Sequence, residues 1–416
     1  FTATPARAAQ TLTVNDPADS TNAGTHACPA TPTKTCTLRL AVQVANGETG
    51  DTINLPANTY NTGANGPVVI NASVTIAGAD PRTTIIDNGG AGRVVSIETS
   101  DLSVAISNVT IQNGNTLNLA PNQGGGIWNN TTSSLTLNNV AILNNRARGT
   151  DASQGGGIWE GRSSHLVITN SLISGNSAPH GTDPNGPSQG GGIYAVGATV
   201  DITNTTIQGN SSDFGGGIYN FQSTVNLLND TISQNTATGV PAALAQPNYG
   251  GGLYDNLPQL YNLTNTIVAN NTNGDCLSSQ DSAPSFVSKG HNLDSDGTCK
   301  LTATGDKPST NPQLAALALN APGQTKTMAI GPGSPALDTA DPALCPATDQ
   351  RGAARRTDNA CDIGAFEFVE VTPKLPPTGH LAPAAMNNLG LVLLGLAMVV
   401  AALMAVTAGF RVPRKS

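Results

Sequence analysis

The sequence predicts an all-β solenoid, a right-handed parallel β-helix, and two periodicities carry that prediction. Gly-Gly-Gly followed by an aliphatic residue and an aromatic occurs five times, at Gly124–Trp128, Gly155–Trp159, Gly190–Tyr194, Gly215–Tyr219 and Gly250–Tyr254. After each copy comes an Ile with an Asn three residues on: Ile142/Asn145, Ile173/Asn176, Ile207/Asn210, Ile232/Asn235 and Ile267/Asn270. The first Gly and the Asn lie 21, 21, 20, 20 and 20 residues apart, whereas 9, 13, 4 and 14 residues intervene before the next triplet. A rigid module alternating with an elastic one describes stacked coils whose length variation is confined to one loop. The shortest repeat, 25 residues from Gly190 to Gly215, is too short for the four-stranded blade of a β-propeller.

Within the rigid module, Ser134–Leu137, Leu166–Thr169 and Thr199–Thr203 alternate apolar and polar residues and are rich in Thr, Val and Ile, which reads as short strands. Asn and Gly punctuate them, as turns with left-handed backbone require. A column of Asn at one turn would hydrogen-bond from coil to coil as polar ladders do, with coils rising about 4.8 Å each. Strand texture without the triplet, at Val68–Ile76, Thr84–Ile86, Val94–Ile97 and Leu102–Ile111, starts the solenoid near residue 50. A β-helix exposes a strand edge at each end unless something covers it. The helix-compatible stretch Leu38–Val44 would lie across the first coil, and the Cys345–Cys361 region would staple the other end.

Composition bounds the location. Charged residues are 11% of the 416, the net charge is −8, and no basic stripe precedes the last six residues, which argues against nucleic-acid binding. The six cysteines fall in close pairs, Cys28/Cys36, Cys276/Cys299 and Cys345/Cys361. Several connectivities are formally open, and pairing of sequence neighbours is the simplest. Zinc is the competing reading, but no Cys-x-x-Cys occurs and His is scarce. Disulfides imply an oxidising compartment. Residues 3–9 have the texture of a signal-peptide tail with an Ala-x-Ala site. Leu389–Phe410 is an uncharged run long enough to span a bilayer, and Arg411, Arg414 and Lys415 after it place the C-terminus inside.

Leu375, Pro376, Thr378 and Gly379, followed by that span and tail, resemble the Leu-Pro-x-Thr-Gly sorting signal of surface proteins attached to the cell wall. The resemblance implies a sortase that cleaves after Thr378 and joins its acyl group to a wall peptide amine, with the C-terminal helix in the membrane before processing. Cys36–Ala41 with Gln43, Asn46 and Gly50–Pro56 resembles the N-terminal Cys-Ser-Leu-Arg-Glu-Ala module of bacterial surface β-helix proteins, with Thr37 and Leu40 in place of its Ser and Glu. Gly333–Asp338, Cys345–Gly352 and Cys361–Glu367 are similar to the choice-of-anchor domain of type Q. Together these divide the chain into a signal remnant (1–9), an N-terminal cap (10–50), β-helix repeats (51–275), a C-terminal cap (276–368), a Pro-rich linker (369–388), a transmembrane helix (389–410) and a basic cytoplasmic tail (411–416). They imply a location and an architecture, and no reaction.

Chemistry is sparse in the residues. A lyase would need clustered carboxylates with a basic residue, and a hydrolase a carboxylate pair across one site. Glu160, Asp201, Asp213, Asp230 and Asp255 fall at different phases or coils apart. Glu160 and Asp255 share a phase but are three copies apart, roughly 14 Å at the interstrand spacing. His165 and His180 have no Asp or Ser at matching phase, and Asp294–Gly297 reads as a turn rather than a calcium loop. No catalytic set, metal site or cofactor follows.

Binding candidates are better placed. If the Ile of each triplet faces inward, alternation turns Trp128, Trp159, Tyr194, Tyr219 and Tyr254 outward. Such a column would stack sugar rings or grip a protein, or else protect the wall by rung-on-rung stacking. Residues 146–154, 177–189 (with His180), 211–214 and 236–249 must emerge on one edge, where binding surfaces are commonly built. The expected function is a wall-anchored surface protein that binds a glycan or a host or matrix protein. A polysaccharide lyase or hydrolase and a structural envelope spacer are the alternatives.

Overall fold

The computed structural model describes residues 8–369, apart from 23, 118, 151, 182–185, 240–248, 258–259, 280–284 and 356–359. The sorting signal, the apolar span, the basic tail and most of the signal remnant lie outside the described residues. Among those described, no helix is long and apolar enough to cross a membrane.

Three parallel sheets of ten, nine and eight strands make the walls of a β-helix. One coil illustrates the path. Ile127–Asn129 lies in the eight-stranded wall, Ser134–Asn138 in the ten-stranded wall and Ala141–Leu143 in the nine-stranded wall. Each strand pairs in register with its counterpart one coil on, so Ile127 stacks on Ile158 and Leu135 on Leu166. Inward positions are therefore columns of Ile, Leu and Val, and they form one continuous core from Leu12 to Leu301. The corner between the ten- and nine-stranded walls turns on one left-handed residue per coil, Asn139, Asn170, Asn204, Asn229 and Asn265, with φ of 50–54°. Asn tolerates that conformation better than most residues with a side chain.

The glycine triplets are required by close approach as well as by conformation. The first Gly of each has φ between 57° and 65°. A Cβ on Gly126 would sit 2.6 Å from the Gly157 carbonyl oxygen and 2.9 Å from Asn145 Nδ2. The triplets thus pack backbone to backbone against the Asn column behind them. That column is a buried ladder. Asn145 donates its backbone N–H and its Nδ2 to Asn176 Oδ1 at 2.9 and 3.1 Å, and the pattern repeats through Asn210 and Asn235. The second amide proton of Asn145, Asn176 and Asn210 goes to the carbonyls of Ile111, Ile142 and Ile173.

The fifth rung differs from the sequence expectation. Asn235 donates to Asn271 Oδ1 at 2.9 and 3.0 Å, and Val268, not Ile267, stacks on Ile232. Asn270 instead occupies the left-handed position before the rung (φ 60°), which Asn144, Gly175, Gly209 and Gln234 fill in the other coils. Of two adjacent Asn, only the one after the left-handed turn can point inward.

Both ends are covered. Thr11–Thr13 adds a strand beneath Asp51–Leu55, and the helix Leu38–Ala45 lies against the first coil through Leu38, Ala41, Val42 and Ala45. Thr37 caps that helix, accepting from the Leu40 N–H at 3.2 Å. All three neighbouring cysteine pairs are disulfides. Cys276–Cys299 closes the last coil, with both sulfurs and Leu301 in the core. Cys345–Cys361 does not staple an end as expected. It sits in a lobe of residues 310–368 that lies along the side of the solenoid, over the Asn corner. Gln324 reaches Asp80, Asn204 Nδ2 donates to the Thr348 carbonyl at 2.8 Å, Asn229 to Asp362 and Asn265 to Asp341. Apolar contact of Ile330, Ala336, Ile363 and Phe366 with Ile267, Ala269 and Leu293 seats the lobe. Corner amides serve both the stack and the lobe: Asn265 Nδ2 donates to Asn229 Oδ1 at 3.3 Å as well as to the Asp341 carbonyl at 3.2 Å.

Asn210→Ala is expected to lower stability by about 1–3 kcal/mol, because it strands donors and acceptors on both neighbouring coils. Urea unfolding checks this, and an unchanged midpoint would show that the ladder is not a stabilising element.

Candidate functional site: the loop edge and its aromatic column

The loops between the nine- and eight-stranded walls leave from roots that are themselves in register. Backbone bridges join Arg146 to Ser177 and Ser177 to Ser211 at the outgoing ends, and Gln123, Gln154, Gln189 and Phe214 at the returning ends. All the variable segments therefore emerge along one edge, as the constant module requires. Between the segment that carries Leu117, Leu119 and Pro121, one coil earlier, and the first variable loop, 146–154, lies a cavity of about 580 Å³ that Gln123, Arg148 and Gln154 also line.

A glutamine ladder at the returning roots went unread in the sequence, although Gln precedes the first three triplets. Gln123 Nε2 donates to Gln154 Oε1 at 2.8 Å and Gln154 Nε2 to Gln189 Oε1 at 2.7 Å. Gln189 ends the row on the Tyr219 hydroxyl at 3.2 Å. In the last two copies Phe214 and Tyr249 replace Gln, and Phe214 packs edge-on against Tyr249 and Tyr254.

The aromatics do turn away from the main core, yet they do not offer open faces. Trp128, Trp159, Tyr194, Tyr219 and Tyr254 stack in sequence with centroid separations of 6.1, 6.1, 5.2 and 5.0 Å. The last four are buried in a second apolar cluster, against which the partly buried Phe214, Phe221 and Leu277 pack. Each ring face is taken by the next ring at the coil spacing, which leaves no gap for a sugar. Only Trp128 keeps partial exposure, with the Arg93 guanidinium 4.9 Å from its ring centre. Burial raises the Tyr194 and Tyr254 hydroxyls to about 12, so both stay neutral.

His180 and His165 do have acidic partners, contrary to the sequence reading. His180 Nδ1 lies 2.6 Å from Asp213 Oδ2, and Asp213 also accepts from the Ser188 N–H at 2.8 Å and the Thr238 hydroxyl at 2.9 Å. Asp213, in the shortest loop, thereby ties together the two longer loops on either side. His165 Nε2 lies 2.7 Å from Asp201 Oδ2 on the ten-stranded wall, a diagonal contact, since Val167 is the residue opposite Asp201.

Glu160 occupies an inward column with Asn129, Ala195, Asn220 and Asp255. It is wholly buried and accepts from Asn129 Nδ2 at 2.9 Å. Desolvation lifts its carboxyl to about 8 against hydrogen bonds from Ser164 and Asn129 that pull it down. Its place in the wall makes it a structural acid. Among the described residues, no group of three or more His, Cys, Asp or Glu is arranged to hold a metal. The Asp294–Gly297 segment is a turn in which the Gly297 N–H donates to Asp294 Oδ1 at 2.7 Å.

No family model matches the chain, and no curated protein matches it in sequence. Among solved structures the chain is similar to the pectate lyase Pel9A, at 15% identity and a TM-score of 0.41, covering 88% of this chain and 98% of that one. It is also similar to a rice weevil pectin methyl esterase, at 14% identity and a TM-score of 0.30 over 62% of this chain and 86% of that one. The A-module of the Azotobacter vinelandii mannuronan C-5 epimerase AlgE4 gives 15% identity and a TM-score of 0.23 with the same coverage. These are low likenesses of shape, and the chemistry of the site rests on its own residues.

The sign of the Glu160 effect on stability follows from its raised value. A carboxyl that binds its proton more tightly when folded stabilises fully below its ordinary value of 4.5, and that stability is lost as pH rises through about 8. Glu160→Gln is therefore expected to flatten the fall in stability across that window and to leave acid stability unchanged. Thermal melts at several pH values check it, and parallel profiles for both proteins would show that Glu160 is not the titrating group.

Proposed function

We propose that the chain is a cell-surface β-helix, attached to the wall through its C-terminal signal, that binds a glycan or a host or matrix protein along its loop edge. The supporting observation is the registered row of loop roots, which lines up all the length variation on one edge beside a cavity large enough for a small ligand group. Rigid scaffolds with variable loops on one side commonly carry their recognition there. The buried aromatic stack gives this edge a stiff backing, and the ligand contacts fall to loop residues and to Trp128. Three disulfides accord with an oxidising, extracellular setting. The sequence resemblances at both caps and at residues 375–379 supply the anchoring part of the reading.

The alternative, a polysaccharide lyase or hydrolase, finds its best candidate base in His180, held by Asp213 at 2.6 Å. An enzyme of that kind would release new reducing ends or unsaturated products from a polysaccharide and would lose this in Asp213→Asn.

Shortening residues 177–189 to the four-residue length of 211–214 is expected to keep the solenoid folded, because loop length there already varies. A glycan and matrix-protein array should show weaker binding for the shortened chain. Equal binding by both would place recognition elsewhere. Thr378→Ala is expected to shift the protein from muramidase-released wall fragments to the membrane or the medium, and wild-type recovery with wall fragments would exclude sortase attachment.

A further inference from the structure

The outer face of the ten-stranded wall carries a second row of polar side chains, remote in the coil path from the loop edge. Asp201, Asn226 and Asn262 occupy one outward position in successive coils. They are joined in one direction, with Asn262 Nδ2 donating to Asn226 Oδ1 at 2.8 Å and Asn226 Nδ2 to Asp201 Oδ1 at 2.6 Å. His165 closes the row on the other oxygen of Asp201. Thr203 and Thr264 flank it, and Leu344 of the lobe, 46% exposed, rises beside it as an apolar wall. Together they line a groove of about 520 Å³.

We propose that this groove binds a neutral, extended polysaccharide. The strands beneath it are paired on both sides, so no backbone edge is available to an added peptide strand. Recognition must therefore run through side chains. Amides and hydroxyls that both donate and accept suit sugar hydroxyls, and Leu344 offers a surface for the C–H face of a ring. The row repeats at the interstrand spacing of about 4.8 Å, close to the advance of one sugar residue in an extended chain, so a repeating ligand can make the same contact in each coil. Asp201 and Lys289 are the charged residues of the lining, one of each sign, which disfavours a polyanion. This site goes beyond the loop-edge reading and does not depend on it.

Isothermal titration of the full chain with cellohexaose, mannohexaose and xylohexaose tests it, with hexagalacturonate as the anionic comparison. At least one neutral hexasaccharide should bind saturably and more tightly than hexagalacturonate. Asn226→Ala/Leu344→Ala should weaken that binding roughly tenfold while its unfolding midpoint stays near that of the parent. Should that variant unfold, Asn262→Ala at the end of the row serves in its place, with a smaller loss. The chain with the shortened 177–189 loop should bind the same probe as the parent does, which separates this groove from the loop edge. No saturable binding of any neutral probe, undiminished binding by the folded variant, or preference for hexagalacturonate would overturn the proposal.

Discussion

One hydrogen-bonding position per coil holds this solenoid in register. Asn145, Asn176, Asn210, Asn235 and Asn271 each pass two donors toward the C-terminal end, and the row stops on Asp275, whose Oδ1 accepts from the Asn271 N–H at 3.1 Å and its Nδ2 at 2.9 Å. A second row, at the other end of the nine-stranded wall, passes one backbone N–H per coil, and in it the Asp230 N–H donates to the Thr266 hydroxyl at 3.4 Å. The Thr205 N–H donates to Asp230 Oδ1, the Thr266 N–H to Asn292 Oδ1, and the Asn292 N–H to Asp306 Oδ1. Each row has a direction, and its last acceptor is a carboxyl oxygen. Both end on an Asp in the closing turns. The glycine triplets depend on the first row, because only a short, flat amide fits behind backbones this close.

The lobe of residues 310–368 changes what kind of solenoid this is. In a simple repeat array each coil contacts only its neighbours, and stability is a sum of local terms. Here the lobe touches corners from Asp80 to Asn265 and so couples coils far apart in the stack. Its own centre is a buried ion pair, Arg355 with Glu367 at 3.1 Å, reinforced by Arg355 donating to Asn204 Oδ1 at 2.9 Å and the Gly364 carbonyl at 2.8 Å. Breaking one partner of such a pair costs far more than the pair itself contributes. The lobe therefore docks as a unit, and its docking splints the side of the β-helix that bears the left-handed corners.

Most of the repeat architecture was legible because stacking turns one coil's chemistry into a period. The triplets, the inward Ile, four of five ladder Asn, the N-terminal helix and the cysteine pairs all follow from local pattern. Asn270 misled because an Ile, Ile267, stands where the other coils have Ala, Leu or Thr, so counting three residues from it stops one short of the inward pair Val268 and Asn271. The His partners were missed for a geometric reason. His165 reaches Asp201 diagonally, and His180 sits in a loop whose length destroys phase, so matching positions in the repeat could not reveal either. The lobe was illegible as a side-on element because its contacts are to corner amides spread over many coils, and no periodicity within 310–368 records that.

The site shows the same division. Registered loop roots are a necessary result of a constant module, so the edge could be read from spacing alone. Whether the aromatics faced solvent could not. Outward alternation fixes only the side of the wall on which a ring lies, while its exposure depends on what the coils above and below provide. With rings in five successive copies, the coil spacing of about 4.8 Å is close to the stacking distance of aromatic faces, so the rings satisfy one another. The column thus does for the outer wall what the Ile column does inside, and it leaves binding specificity to the loops and the polar faces, where a change of residue does not disturb the stack.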